Sequence, residues 1–268
     1  MIIIFVSCIF LGALVGFLAG LLGIGGGLVV VPALVYLLPT LGGSNDVLSS
    51  EVIMPMALAT SLAAIAMTSS SAAYAHHKNN NIPWYLAKPL MFVVAFGALS
   101  GAFIADLLSA KALTNFFAIA VMLLAIYMLF SMRSQRSRTM PSQLKLQFIS
   151  FITGIIASLM GMAGGAILVP VLTYFGMPLR HCIGIATVCG VMVAIFGSFG
   201  YIVSGLDNHL LPVWSVGYVY LPALLGIVLT SSLFAPIGVK FAAKLPVQSL
   251  KKCFAVFLIL VALKMMLA

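Results

Sequence analysis

A glycine-rich motif that occurs twice constrains this chain more than any other feature of its sequence. Residues 16–34 read GFLAGLLGIGGGLVVVPAL, and residues 154–172 read GIIASLMGMAGGAILVPVL. Nine of the nineteen positions are identical in the two copies. This self-similarity predicts a duplicated unit. Each copy also places several glycines, which disfavour helix, inside an apolar run, and such a break indicates a cavity or a binding site nearby.

The composition places this repeat in a membrane protein. Of the 268 residues, 63% are hydrophobic and 6% are charged, whereas soluble domains carry about 25% charged residues. The four cysteines lie in apolar runs without a CxxC spacing, so we expect neither a disulfide framework nor a zinc site. The net charge of +9 lies on basic residues between apolar runs. It is interpreted as a record of membrane topology, and we expect no nucleic-acid binding.

Apolar runs long enough to cross about 30 Å of hydrocarbon divide each copy into a short helical hairpin and three spans. The predicted spans are 52–74, 86–108 and 112–132 in the first copy, and 182–204, 214–236 and 250–267 in the second. The glycine clusters fall at the tips of the hairpins. We therefore predict an all-α polytopic membrane protein with repeats at 1–132 and 146–268, joined by a basic linker at 133–145.

The linker predicts the topology of the chain in the membrane. It carries four basic residues and no acid, so we expect it in the cytoplasm. Counting spans away from it puts both termini outside and gives an odd number of crossings per copy. The two copies are therefore expected to be inverted relative to each other. The glycines spaced four residues apart in 12–20 allow close helix contacts, so the sequence is also compatible with a homo-oligomer.

The glycine clusters lack the features of a nucleotide-binding loop. No Lys-Ser/Thr pair follows them, and the third glycine of the Rossmann spacing is missing. Short half-helices are instead predicted to begin near Gly27 and Gly165, where free N–H groups and about half a positive charge would face an anion. Pro32 and Pro170 would kink these half-helices toward the centre. The competing interpretation is that the glycines only allow a tight turn.

Hydroxyl side chains that recur downstream of both motifs add candidate hydrogen-bond donors. The candidate substrate-binding residues are Gly23, Gly25, Gly26, Gly27, Thr60, Ser61, Gly161, Gly164, Gly165 and Thr187. Together they predict a site for a small anion between the two hairpin tips. We expect the partners of the chain to be this anion and the lipid bilayer.

The acidic residues are few and lie near the ends of the predicted spans. They are Asp46, Glu51, Asp106 and Asp207. Because none is predicted at mid-depth, cation coupling through carboxylates and a carboxylate proton relay are poorly supported. Asp106 is expected to form an interfacial ion pair with Lys111. No motif for a metal, a cofactor or a catalytic group is present, so we expect no cofactor and no enzymatic activity.

The repeated Gly-x-x-Gly-x-Gly-Gly-Gly-x-x-x-x-Pro pattern, with Ala-Thr-Ser at 59–61 and Ala-Thr at 186–187, resembles the sulfite exporter TauE/SafE family of membrane permeases. The first copy matches closely, whereas the second has Ser158, Ala163 and Ala166 where glycine is usual. The resemblance implies transport of sulfite, organosulfonates or related small anions across the cell inner membrane, commonly as efflux. The alternative function is a non-transporting membrane scaffold or subunit that uses its glycine faces only for packing.

Overall fold

The structure is a computed structural model that describes residues 9–18, 26–41, 49–130, 141–242 and 247–267. The first half contains α1 (Ile9–Leu18), α2 (Gly27–Leu37), a short 3-10 helix (Leu38–Leu41), α3 (Ser50–Lys78), α4 (Trp84–Leu107) and α5 (Ala110–Phe130). The second half contains α6 (Gln143–Leu159), α7 (Gly165–Tyr174), α8 (Leu179–Gly205), β1 (Ser215–Val216), β2 (Val219–Tyr220), α9 (Leu221–Ala242) and α10 (Val247–Leu267). The predicted all-α polytopic fold is confirmed.

Four helices in the described part of the chain are long and apolar enough to cross a bilayer, namely α3, α4, α5 and α8. The predicted spans 52–74 and 182–204 lie within α3 and α8. By contrast α2 has 11 residues and α7 has 10, so each is about 15 Å long and covers only half of a bilayer. The short helices are therefore half-helices, as the sequence predicts.

The predicted span 214–236 is wrong at its start. Residues Ser215–Val216 and Val219–Tyr220 form an antiparallel β-hairpin, and α9 begins only at Leu221. The segment is apolar but rich in β-branched and aromatic residues, and a short apolar run does not by itself distinguish strand from helix. Gly217 makes the turn with φ of +52°, a left-handed conformation that glycine adopts without steric cost.

Glycine conformation also explains the break between α6 and α7. Gly161 and Gly164 have φ of +59° and +69°, which ends α6 at Leu159 and lets α7 start at Gly165. Pro32 and Pro170 are each the sixth residue of their half-helix. Because proline lacks an N–H, each removes one backbone hydrogen bond from a helix of about three turns.

The helices pack in pairs that correspond between the two halves of the chain. The half-helix α2 packs against α3, and α7 packs against α8. Helix α6 packs against α4 of the other half, where Gly154 lies against Gly97 and Ala98. Helix α1 lies in the same way against α9, with Gly16 next to the backbone of Ser231. In both copies the first helix thus packs against a helix of the other copy, as a two-fold relation between them would give. The inverted orientation of the copies stays a prediction.

Long-range packing of α3 against α8 joins the two halves at the centre of the protein. The buried core includes side chains from α2, α3, α4, α7 and α8, among them Leu34, Leu62, Leu90, Leu172 and Val193. Because α2 and α7 contact this central pair, both half-helices are held against the core. The fold therefore brings together two segments that are more than a hundred residues apart in sequence.

Candidate functional site

The two glycine clusters are in direct contact. A Cβ atom added to Gly27, the first residue of α2, would lie 2.5 Å from the carbonyl oxygen of Gly161 and 2.9 Å from Cα of Met162. No side chain fits at Gly27, because both neighbours are backbone atoms. The start of α2 therefore touches the second glycine cluster, and an anion site between the two hairpin tips stays a prediction.

Helix α3 fixes this junction through a side-chain hydrogen bond. The Oγ atom of Ser61 donates to the carbonyl oxygen of Gly161 at 2.8 Å, and Ser61 is fully buried. Leu58 and Ile65, one turn to either side on α3, contact the two clusters at Gly161 and Gly27. Since the single Ser61 proton is donated to Gly161, Ser61 positions the second cluster in this structure and does not offer a donor to a ligand.

The neighbouring hydroxyl of Thr60 connects α3 to the β-hairpin. Its Oγ1 atom accepts a hydrogen bond from the backbone N–H of Tyr220 at 3.0 Å, and Thr60 is fully buried. Thr187 occupies the corresponding position on α8, where its hydroxyl donates to the carbonyl of Ile183 at 2.8 Å. The two threonines that recur in the sequence therefore have different partners in the two halves.

The N-terminus of α7 presents backbone donors. The N–H groups of Ile167 and Leu168 donate to the carbonyl of Gly164. In the residues that the structure describes, no hydrogen bond uses the N–H of Gly165 or Ala166, and both residues are partly exposed. The first N–H groups of a helix carry its positive partial charge and are free to bind an anion.

The carbonyl of the residue before α2 accepts hydrogen bonds from the first turn of the helix in the same way. Gly26 precedes the helix, and its carbonyl accepts from the N–H groups of Val29 and Val30 at 3.0 Å each. Gly26 is partly exposed, whereas Gly27 is buried. Gly23 and Gly25, which complete the predicted set in this cluster, lie outside the described residues.

A cavity of about 480 Å³ reaches Gly26 from one side of the junction. This cavity, which we call the apolar cavity, runs between α1, α2, α3 and α9. It is lined mainly by aliphatic side chains such as Val30 and Ile65. Thr68 and Ser71 on α3 and Ser231 and Ser232 on α9 contribute hydroxyl groups. No charged side chain lines this cavity among the described residues, so any positive potential in it comes from the backbone.

A second cavity, of about 550 Å³, lies at the other end of α3. We call it the polar vestibule. Its lining includes the charged residues Glu51, Asp106 and Lys111 together with Asn208 and Tyr218. Along α3 the polar vestibule ends at Pro55, Ser61 holds the glycine junction, and the apolar cavity begins at Ala64. The two glycine clusters therefore lie between two cavities.

The expected ion pair between Asp106 and Lys111 is wrong. The Oδ1 atom of Asp106 accepts a hydrogen bond from the hydroxyl of Tyr218 at 3.1 Å, and the Nδ2 atom of Asn208 donates to that hydroxyl at 3.2 Å. Burial raises the pKa of Tyr218, and the charge of Asp106 raises it too, so the phenol stays protonated and able to donate. The partner is far away in sequence, which is why proximity along the chain suggested Lys111.

Sequence reasoning also missed the aromatic residues that connect the vestibule to the second cluster. The rings of Tyr218 and Tyr201 meet edge to face with centroids 6.4 Å apart. The hydroxyl of Tyr201 donates to the carbonyl of Ser158 at 3.4 Å, and Ser158 is the last residue but one of α6. The β-branched and aromatic residues around Gly217 at 216–220 were the available signal for a strand pair.

Membrane-spanning helices around two half-helices, with a cavity on either side of their tips, define a multi-pass membrane transporter. The family model for the sulfite exporter TauE/SafE family matches residues 8–265. The chain therefore belongs to this family, as its repeated motif indicated.

Relatives cover nearly the whole chain. A probable membrane transporter protein of Haemophilus influenzae is 43% identical over 265 residues, which cover 97% of each chain. A second, of Methanocaldococcus jannaschii, is 25% identical and covers 91% of this chain and 88% of its own length. A third, of Bacillus subtilis, is 23% identical over 77% of this chain and 81% of its own length. No solved structure matches the chain.

Proposed function

We propose that this transporter exports small anions such as sulfite or organosulfonates across the cell inner membrane, and that the anion binds at the junction of the two glycine clusters. The observation that carries the proposal is that the N-terminus of α2 abuts the second glycine cluster at a buried point, where Gly27 lies against Gly161, four residues before α7 begins. The family name supplies the substrate class. The candidate residues Gly26, Gly164 and Gly165 remain proposed binding residues, whereas Thr187, like Ser61, donates its single hydroxyl proton within the protein.

The chemistry of the junction favours an anion over a cation. An anion that leaves water loses hydration energy of several kcal/mol, which must be replaced by donors in the protein. The N–H groups of Gly165 and Ala166 have no acceptor among the described residues, and they point along the positive end of the α7 dipole. No carboxylate lines the apolar cavity within the described residues, so a bound anion would meet no negative charge there.

The two cavities supply a route for transport. A carrier exposes a central site alternately to each side of the membrane. Here the polar vestibule and the apolar cavity approach the junction from opposite ends of α3. Between Ala64 and Ala75, the innermost and outermost points of the apolar cavity along α3, the helix rises about 16 Å. That length is close to half the thickness of the hydrocarbon core of a bilayer, which is about 30 Å.

Counterflow in proteoliposomes tests the proposal. Vesicles containing the purified protein and unlabelled sulfite are expected to accumulate radiolabelled sulfite against its gradient, and organosulfonates are tested as competitors. A parallel thermal unfolding series in detergent reports binding, since a ligand at a hundred times its Kd stabilises by about 2.7 kcal/mol. Matched vesicles without protein serve as the control for passive leak.

The alternative function, a scaffold that does not transport, also has an observation in its favour. Gly16, Gly97 and Gly154 lie so close to neighbouring backbones that they have a packing role irrespective of any substrate. A scaffold would show neither counterflow nor stabilisation by any anion. Absence of both signals with protein of native stability would therefore reject export and leave the scaffold.

A further inference from the structure

We propose that the β-hairpin of β1 and β2 is the gate that closes the anion site toward the polar vestibule, and that the Tyr218–Asp106 hydrogen bond is its latch. The proposal deepens the proposed function, because it assigns the conformational control of that same site. It rests on the position of the hairpin along α3, on its burial and on the polar contacts that hold it.

The order of contacts along α3 places the hairpin between the vestibule and the glycine junction. Residues from Ser50 to Pro55 line the vestibule. Thr60 then accepts the N–H of Tyr220 at the end of β2, and Ser61 donates to Gly161. From Pro55 to Ser61 the helix rises only about 9 Å. Along the axis of α3 the end of the hairpin therefore lies between the vestibule and the glycine junction.

The second strand of the hairpin and the residue before it are buried. Tyr218, Val219 and Tyr220 are all at most 7% exposed. A side chain at Gly217 would collide with the backbone of Ile202 on α8, and a Cβ atom at Gly205 would lie 2.6 Å from the backbone nitrogen of Tyr218. The hairpin thus sits on α8 at a distance that only glycine allows.

The contacts that hold the hairpin are few and polar on the vestibule side. Tyr218 donates to Asp106 on α4 and accepts from Asn208. Glu51 and Lys111 are the other charged residues that line the vestibule. Within the described part of the chain, no ion pair joins Lys111 to Asp106. A hydrogen bond to a charged group changes an equilibrium constant about ten- to a hundredfold. It can therefore favour the closed position of the hairpin and still break during each transport cycle.

One contact would transmit opening to the anion site. The N–H of Tyr220 binds Thr60, and the adjacent Ser61 holds the carbonyl of Gly161. Movement of the hairpin therefore acts on the residue beside the one that positions the second glycine cluster. The gate and the site share one segment of α3, which gives a physical path for coupling them.

Thiol labelling of a buried reporter tests the gate. Val219→Cys, at a position in β2 that is 3% exposed, is introduced into the full chain after Cys8, Cys182, Cys189 and Cys253 have been replaced by alanine. The purified protein in detergent is reacted with a charged methanethiosulfonate reagent, so that membrane orientation does not matter. Tyr218→Phe and Asp106→Ala each remove the Tyr218–Asp106 hydrogen bond and are expected to speed labelling about ten- to a hundredfold, the factor for losing one hydrogen bond to a charged group.

Controls make the result specific to the hairpin. The double variant Tyr218→Phe/Asp106→Ala is expected to label no faster than the faster single variant, because both remove the same contact. Tyr85→Phe removes a hydroxyl from an exposed tyrosine and is expected to leave the rate unchanged. Thr153→Cys, buried in α6, reports general loosening of the fold.

Each outcome decides the proposal. Faster labelling at position 219 with an unchanged rate at position 153 supports the gate. Equal acceleration at both positions, unchanged labelling at position 219, or additive effects of the two latch variants would overturn it. The assay contains no substrate, so a protein that lacks sulfite transport but shows the accelerated labelling refutes the proposed substrate while keeping the gate.

Discussion

Replacing Gly165 with alanine separates binding from packing at the start of α7. A methyl group on Gly165 would have the Cβ of Ala186 as its nearest neighbour, at 3.9 Å, which is an ordinary van der Waals contact. Alanine is favoured over glycine in helices by up to about 1 kcal/mol. We therefore expect the free energy of unfolding of Gly165→Ala to be unchanged or slightly higher than that of the parent protein.

The effect on the anion should be opposite. The added methyl group would stand beside the N–H groups of Gly165 and Ala166, which have no acceptor among the described residues. An oxyanion kept from one of these donors loses a hydrogen bond to a charged group, worth about 1.5–3 kcal/mol. That free energy corresponds to an apparent Kd roughly ten- to a hundredfold higher.

The assay is thermal unfolding of the purified variant in detergent with increasing sulfite or a small organosulfonate. Gly164→Ala is the comparison, because Gly164 has φ of +69° and a side chain in that conformation costs about 1–2 kcal/mol. We expect Gly164→Ala to lower stability even without the anion. If Gly165→Ala binds the anion with the parent's affinity, the N-terminus of α7 is not part of the site.

Three further predictions concern the junction and the topology. Gly27→Ala should destabilise the protein by about 1–3 kcal/mol, because its Cβ would lie 2.5 Å from the Gly161 oxygen; an unchanged melting temperature would contradict the close contact. Ser61→Ala should cost about 1–3 kcal/mol by removing the buried donor to that same oxygen, and thermal unfolding measures it. Single cysteines at Ser44 and Ser137 should react with a membrane-impermeant reagent from outside and from the cytoplasm respectively; reaction of both from one side would refute the inverted topology.

The half-helices show how far local sequence information reaches. Their starts near Gly27 and Gly165 were predictable because glycine and proline act on the backbone of their own segment. The structure begins α2 and α7 at those two residues. The β-hairpin was not predictable in the same way, because the apolar run that contains Val216 and Val219 is compatible with either a strand or a helix.

The partners of the polar side chains were beyond sequence reasoning. Ser61 was predicted to face a ligand, yet its hydroxyl binds a carbonyl one hundred positions away. Asp106 was assigned to the nearby Lys111, yet its partner is Tyr218. In both cases the short distance along the chain gave no information, because a side chain bonds to whatever group the tertiary packing brings within about 3 Å.

The sequence by itself determined the membrane character of the protein, the duplication, the positions of the helix breaks and the family. These properties follow from hydropathy and backbone preferences, which each segment carries independently of the rest of the chain. The tertiary structure alone decided that Gly27 meets Gly161, that Thr60 and Ser61 connect the hairpin to this junction, and that two cavities approach it. Such contacts join residues far apart in sequence, so they exist only once the helices have packed.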